Sequence, residues 1–400
     1  MAGSGTRERF VLATKASRLP LPGFPGPLGE RAPPKFILGA QQRLGMIHRV
    51  RNSPANLPVL EPRADEGRIM MKGKLSRRDF MHTVLAAAAL PGVRPHAPAA
   101  EVADEIPIID SHIHLFDPTR PQGVPWPPKN NAVLYKPALP ERYRQIATPL
   151  GIRGAIEVEC STLLEDNQWV LDIAAKDTII VGTVGNLEPG QPGFRAQLDR
   201  FRRNPLFRGI RYGNLWGRNL GADLARPEFI SDVKALADAG LGLDTANPNP
   251  ALIAAVVGLT DKVSGLRVVI DHLPQLTPPE DAAPHTTYQA NLRELGQRPQ
   301  VYIKVSQVLR RVEGRVPEDL GFYRARLDEL WGIFGEDRIL YGSDWPNSDQ
   351  WAEYPKVLHV VREWIKGKGR VAAEKYFWKN SVAAYGWVKR APGQPSRADG

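Results

Sequence analysis

The chain has 400 residues, 42% of them apolar, enough for one large barrel or two ordinary domains. Its formal charge of +10 sits in the N-terminal quarter: residues 1–100 hold 16 Lys and Arg against 6 Asp and Glu, while residues 101–400 hold 37 of each sign. The basic excess belongs to the leader and not to a folded binding surface, so no nucleic-acid partner is expected. The single cysteine, Cys160, rules out an intrachain disulfide and, set in an apolar run, reads as a small buried hydrophobe. No apolar run approaches the roughly 20 residues that span a bilayer, so stable membrane insertion is not expected.

In chain order, the first signal is a leader. Ser76-Arg77-Arg78-Asp79-Phe80-Met81 matches the twin-arginine consensus, Val84–Leu90 is a short Ala-rich apolar segment, and Ala97-Pro98-Ala99 offers small residues for cleavage. A basic segment, an apolar segment and an Ala-x-Ala site in that order predict handling by the twin-arginine export machinery and a periplasmic or secreted location. Met70-Met71-Lys72 is the natural start. Residues 1–69, rich in Pro, Gly and Arg, then read as upstream sequence or a disordered extension. The expected organisation is extension 1–69, leader 70–100, catalytic body 101–390 and a frayed polar tail 391–400.

The body alternates strand and helix signals. Strands are predicted at 106–110, 154–160, 178–184, 207–212, 241–245, 267–273, 301–306 and 338–341. Helices are predicted at 140–149, 167–176, 193–203, 228–239, 250–257, 286–296, 317–334 and 351–365, and 371–388 reads as one further amphipathic helix. Eight strand–helix units over roughly 280 residues predict an α/β fold of the (β/α)₈ TIM-barrel type. The rival, a doubly wound sheet for a dinucleotide, lacks a Gly-x-Gly-x-x-Gly after its first strand.

Barrel chemistry gathers at the C-terminal rim of the strands, and polar residues recur there. The first strand runs into His112-Ile113-His114, whose i, i+2 imidazoles share one face and reach one ion or one anionic group. The sixth ends Asp271-His272-Leu273-Pro274, and the eighth runs into Gly342-Ser343-Asp344-Trp345-Pro346. A lone histidine after a strand is usually a hydrogen-bonded structural residue; three imidazoles and a carboxylate at three rim positions point to a site. Arg211 on strand four suits a fork around a carboxylate or lactone oxygen, whereas Arg208, at the start of that strand, is expected in a structural ion pair. Glu157 and Glu159 share a face of strand two and need partners; Glu159 reads as a metal ligand or a partner of Arg211. Lys304 would hold an anionic substrate group or make a salt bridge, and Trp126, in a proline-stiffened loop, would form a lid or pack hydrophobically.

His-x-His, Asp-His-Leu-Pro and Gly-Ser-Asp-Trp-Pro in this order resemble the amidohydrolase superfamily, in particular its branch of lactonases and 2-pyrone-dicarboxylate hydrolases, over about 105–388. The resemblance implies that Asp344 is the general base for water and that His112 and His114 bind metal or substrate. It also implies that His272 contacts metal or polarises the scissile carbonyl. Strands four and five lack the carboxylated lysine, glutamate or histidine of binuclear members, so a two-metal site is not expected. One divalent ion, zinc by ligand type, is expected among His112, His114, Glu159 and Asp344, with a metal-free site the alternative. The reaction expected is hydrolysis of a small cyclic ester, a sugar-acid or aromatic-degradation lactone, by water activated by Asp344. The alternatives are a metal-dependent decarboxylase of an aromatic acid, or a non-catalytic periplasmic binding barrel.

The leader is directly testable. Replacing Arg77 and Arg78 with lysine should leave the precursor in the cytoplasm, and the exported chain should begin near Ala100 by N-terminal sequencing. Export of the double variant at the normal level would remove the twin-arginine reading.

Overall fold

The computed structural model describes residues 105–396; the leader and the residues before it lie outside the described residues. Eight strands follow one another: β1 (Ile108–Ile113), β2 (Ile152–Val158), β3 (Ile180–Gly185), β4 (Phe207–Arg211), β5 (Gly242–Asp244), β6 (Val268–Ile270), β7 (Val301–Val305) and β8 (Ile339–Tyr341). Every consecutive pair is parallel and the sheet order is sequential. The ring closes just past β8. There Asp344 N–H donates to the His112 carbonyl and His114 N–H to the Trp345 carbonyl, both at 2.8 Å, and Ile113 is bridged to Trp345. This is a (β/α)₈ barrel.

Helices α1 (Pro140–Ala147), α2 (Asp166–Lys176), α3 (Phe194–Phe201), α4 (Leu220–Asp223), α5 (Pro227–Asp238), α6 (Pro250–Lys262), α7 (Ala282–Leu295), α8 (Leu320–Phe334) and α9 (Tyr354–Lys366) connect and follow the strands. Proline opens α1, α5 and α6, where its missing N–H is not needed. Both faces of every strand are covered, which is why they read as apolar runs rather than alternations. Ile109, Ile156, Val181, Val269 and Leu340 pack into the barrel interior with Trp378, Tyr385 and Trp387 from the C-terminal segment. Ile108, Ala155, Ile180, Ile210, Leu243 and Ile303 belong to a larger cluster with the helices.

Several boundaries differ from the sequence expectation for identifiable reasons. Helix α7 begins at Ala282, with Pro284 in its first turn, where a proline is tolerated. Helix α4 was not expected; it has four residues, too few for a period, and is capped by Asn219, whose side chain accepts from Ala222 N–H. The helix expected over 371–388 is instead α10 (Arg370–Glu374), a π turn (Lys375–Lys379) and α11 (Asn380–Tyr385), ended by left-handed Gly386 at φ 62°. The tail does not fray directly after Arg390. Gln394 is buried, accepts from the Arg390 and Ala391 N–H groups, and donates to the carbonyls of Arg153 and Thr178. Arg208, expected in an ion pair, has no carboxylate partner among the described residues; burial and nearby Arg267 lower its pKa. No described helix is long and apolar enough to cross a membrane.

One buried carboxylate staples β1 to the turn after β8. Asp110 accepts from Ser343 N–H at 2.8 Å through one oxygen, and from the Tyr143 and Tyr354 hydroxyls at 2.9 and 2.8 Å through the other. Asp110→Ala strands those donors in the core and should lower the free energy of unfolding by roughly 2–4 kcal/mol, since each unmet buried donor costs about 1–3 kcal/mol. Urea unfolding of the purified variant measures this, and an unchanged midpoint would contradict it.

Candidate active site

Five residues at the barrel mouth adopt the left-handed backbone region although none is glycine: Trp216 after β4, Asn247 after β5, His272 after β6, Gln307 after β7 and Asp344 after β8, at φ 48–63°. All five line one cleft of about 140 Å³, together with His114, Trp126, Cys160, Arg211, Leu215 and Asn347. Such conformations are strained for side chains this large and persist where the surrounding fold imposes them, often at functional sites. Here each turns the chain sharply at a strand end. Gly342 is needed for the same crowding: a Cβ there would lie 2.8 Å from that of His112.

Asp344 is fully buried, and its two oxygens have different jobs. Oδ2 accepts from the side-chain amides of Gln307 and of Asn347, the latter at 2.6 Å. Oδ1 faces three imidazole Nε2 atoms: His114 at 3.1 Å, His112 at 3.4 Å and His272 at 3.7 Å. Burial alone would push this carboxyl up, but His272 and the hydrogen bond with His114 outweigh it and hold Asp344 well below the ordinary carboxylate range. It is ionised at neutral pH, with Oδ1 turned towards the three imidazoles.

The proton positions follow from the partners. His114 Nδ1 lies 2.7 Å from the Val158 carbonyl, which can only accept, so Nδ1 carries the proton. With a proton on Nε2 as well, His114 donates to Oδ1 at 3.1 Å; without one it turns a lone pair towards that oxygen. His272 Nε2 lies 3.4 Å from the Arg211 guanidinium, which can only donate, so its N–H is on Nδ1, 2.7 Å from Ser306 Oγ. Burial pushes the His272 pKa down to about 4, and it drives that of His112 well below its ordinary value. Lone pairs facing a carboxylate oxygen need a proton or a cation between them. His112 Nε2 is buried without a hydrogen-bond partner, and one donor atom each from His112, His272 and Asp344 lie within 4.8 Å of one another. These residues fit a divalent cation.

The family model for amidohydrolases matches residues 109–387, which contain every residue of this cleft. The chain belongs to the amidohydrolase family. It is a hydrolase. An L-fucono-1,5-lactonase of Burkholderia ambifaria is 28% identical to this amidohydrolase over 245 residues, 60% of this chain and 80% of that protein. An amidohydrolase structure from Burkholderia multivorans with bound zinc superposes with a TM-score of 0.62 at 21% identity, covering 70% of this chain and 99% of that one. A putative 2-pyrone-4,6-dicarboxylic acid hydrolase from Pseudomonas putida superposes with a TM-score of 0.56 at 22% identity, covering 70% and 98%. At such identities the two structures show the common fold.

The amidohydrolase does not bring all the expected residues together. His112, His114, His272, Asp344 and Arg211 converge at the mouth, and Trp126 lines the cleft with its ring against His114, centroids 5.7 Å apart. Glu159 lies outside the cation-holding group: its carboxylate accepts from Trp216 Nε1 at 3.2 Å and Ser161 N–H at 3.0 Å, and its backbone carbonyl accepts from Arg211. Lys304 does not reach the cleft. It is wholly buried beneath it, ion-paired to Asp244 at 2.6 Å and Asp271 at 3.0 Å, because a buried ammonium must be matched by carboxylates. Asp271 in turn pairs with Arg211 Nε at 3.2 Å. Burial pushes the Cys160 thiol well up, consistent with an inert side chain. Sequence reading missed Gln307, Asn347, Trp216 and Asn247, and it gave no role to Asp244 and Asp271. Of these only Trp216, an aromatic in a loop directly after a strand, left a signal that could have been used.

The cation fit has a thermodynamic consequence independent of turnover. Chelated, dialysed protein should gain stability on addition of Zn²⁺, by about 2.7 kcal/mol at a free concentration 100 times the dissociation constant. His112→Gln and Asp344→Asn should abolish the gain in a thermal-shift titration. An unresponsive wild-type melting curve would contradict it.

Proposed function

We propose that this amidohydrolase opens the ring of an uncharged sugar-acid 1,5-lactone. The observation that carries the reading is Asp344: a buried carboxylate with one oxygen tied by two amides and the other facing three imidazoles, at the floor of a cleft sized for one small ring. The lactonase activity named for the Burkholderia ambifaria relative supports the same class.

The lining of the cleft narrows the substrate. Its cation, Arg211, is already matched by Asp271, and its guanidinium also contacts the Glu159 carbonyl and His272. A dicarboxylate would need free cations; a polyhydroxylated ring needs flat apolar walls and hydrogen-bonding amides. Trp126 and Trp216 supply walls, and Asn247, Gln307 and Asn347 supply amides.

A water at Asp344 Oδ1 gives up a proton to that oxygen as its own oxygen attacks the lactone carbonyl. The Arg211 guanidinium, at the cleft wall, stabilises the tetrahedral oxyanion. His272 offers a lone pair in this tautomer, which suits holding a cation or accepting from water better than donating to an oxyanion. When the ring C–O bond breaks, the proton on Asp344 passes to the departing ring oxygen, giving the hydroxy acid and restoring the carboxylate. A divalent ion, zinc by ligand type, held by His112, His272 and Asp344 would acidify water and polarise the carbonyl. Export through the twin-arginine route belongs to the same proposal, and its support is the sequence of the leader alone.

A panel of aldono-1,5-lactones with a pH indicator tests the reading. Wild-type enzyme should acidify the medium with at least one neutral sugar lactone, and Asp344→Asn should lower turnover by about 10²-fold or more with unfolding unchanged. An Asp344→Asn enzyme within about tenfold of wild type would remove Asp344 as the base.

A further inference from the structure

Three side-chain amides form one hydrogen-bonded chain from the loop after β1 to the base. Asn347 Nδ2 donates to Asp344 Oδ2 at 2.6 Å, Gln350 Nε2 to Asn347 Oδ1 at 2.6 Å, and Asn131 Nδ2 to Gln350 Oε1 at 2.9 Å. The chain ends where Asn131 Oδ1 accepts from the Leu134 backbone N–H at 3.1 Å.

Its direction is fixed from both ends. The Asp344 carboxylate can only accept, so Asn347 turns its NH₂ to it and its own oxygen away. The Leu134 N–H can only donate, so Asn131 turns its oxygen to that group and its NH₂ to Gln350. Gln350, in the middle, is fixed independently: its Nε2 also lies 3.4 Å from the Asn347 backbone carbonyl, which can only accept. Each amide donates on one side and accepts on the other, and bonds in such a series polarise and strengthen one another.

The chain joins two distant parts of the sequence, since Asn131 and Gln350 are 219 residues apart. Gln350 ends the 3₁₀ turn Asn347–Gln350, just past Asp344. Asn131 belongs to the long connection between β1 and α1 that also carries Trp126, a wall of the cleft. A second tie runs beside it: Arg142 of α1 donates to the Pro137 carbonyl at 3.2 Å and pairs with Asp349 of the turn at 2.9 Å. Asn131 and Gln350 themselves do not line the cleft.

We propose that Asn131 and Gln350 are positioning residues for the base. Through Asn347 they hold Asp344 Oδ2, so that Oδ1 faces the imidazoles, and they tie that orientation to the seating of the Trp126 loop. The inference rests on the lactonase reading for its assay and extends it to two residues that touch no substrate.

Asn131→Asp is nearly isosteric and keeps the acceptor for Leu134, but it removes the donor to Gln350. The Gln350 amide then turns its NH₂ to the new carboxylate and releases Asn347 from its fixed orientation. With an aldono-1,5-lactone, Asn131→Asp and Gln350→Leu should each lower kcat about tenfold and leave KM within about twofold, a loss typical of outer partners of a site. Asn130→Asp puts the same charge on the neighbouring, exposed residue and should change neither constant. The Asn131→Asp, Gln350→Leu double variant should be no slower than Gln350→Leu alone, because the chain is already cut. Both positions are partly exposed, so the variants should unfold in urea near the wild-type midpoint. An undiminished kcat in Asn131→Asp, or losses that multiply in the double variant, would overturn the proposal. If the wild type opens no lactone, the functional reading fails, and the chain is read through Zn²⁺ alone. The dissociation constant from thermal shifts should then rise about tenfold in Asn131→Asp and not in Asn130→Asp. Equal constants in wild type and Asn131→Asp overturn the chain as well.

Discussion

The structure depends on the seam where the barrel closes. Two backbone hydrogen bonds, Asp344 N–H to His112 and His114 N–H to Trp345, join the first strand to the turn after the last. Those bonds set the carboxylate and both first-strand imidazoles side by side, although 230 residues of chain separate His114 from Asp344. Asp110 reinforces the seam from below through Ser343, and Gly342 lets the two chains approach. The cluster at the barrel mouth is thus a consequence of closure; an open sheet of the same strands would not assemble it.

Beneath the seam is a buried charge network rather than an apolar floor. Lys304 binds Asp244 and Asp271, Tyr385 from the C-terminal helix donates to Asp244, and Asp271 reaches Arg211. The pull of Lys304 and His112 overcomes burial and keeps Asp271 well below the carboxylate range, whereas burial lifts Asp244 to about 6. Breaking one partner of such a network leaves charges stranded in the interior, so these residues hold the site's geometry rather than contact the substrate.

Much of the fold was legible because a parallel barrel repeats a simple pattern: eight apolar runs, each followed by an amphipathic stretch. His112, His114, His272 and Asp344 were legible because each lies within a few residues of a predicted strand end. Glu159 and Lys304 were harder, since what decides their roles is the partner across the barrel: Trp216 for one, Asp244 and Asp271 for the other. Gln307 and Asn347 were invisible for a related reason. Nothing in their neighbours along the chain reveals that their amides meet on one oxygen of Asp344. Left-handed backbone at Trp216 and Gln307 was likewise not legible, since neither residue type favours it locally, whereas Asn247, His272 and Asp344 adopt it more readily.

In the proposed mechanism Asp344 is a base that hands a proton between water and the ring oxygen, never a nucleophile. A single turnover with enzyme in excess over lactone in H₂¹⁸O separates the two directly. Water attack predicts one ¹⁸O in the product carboxylate in that first turnover and none in the protein. Unlabelled product, with the label found on the Asp344 peptide by mass spectrometry, would contradict it.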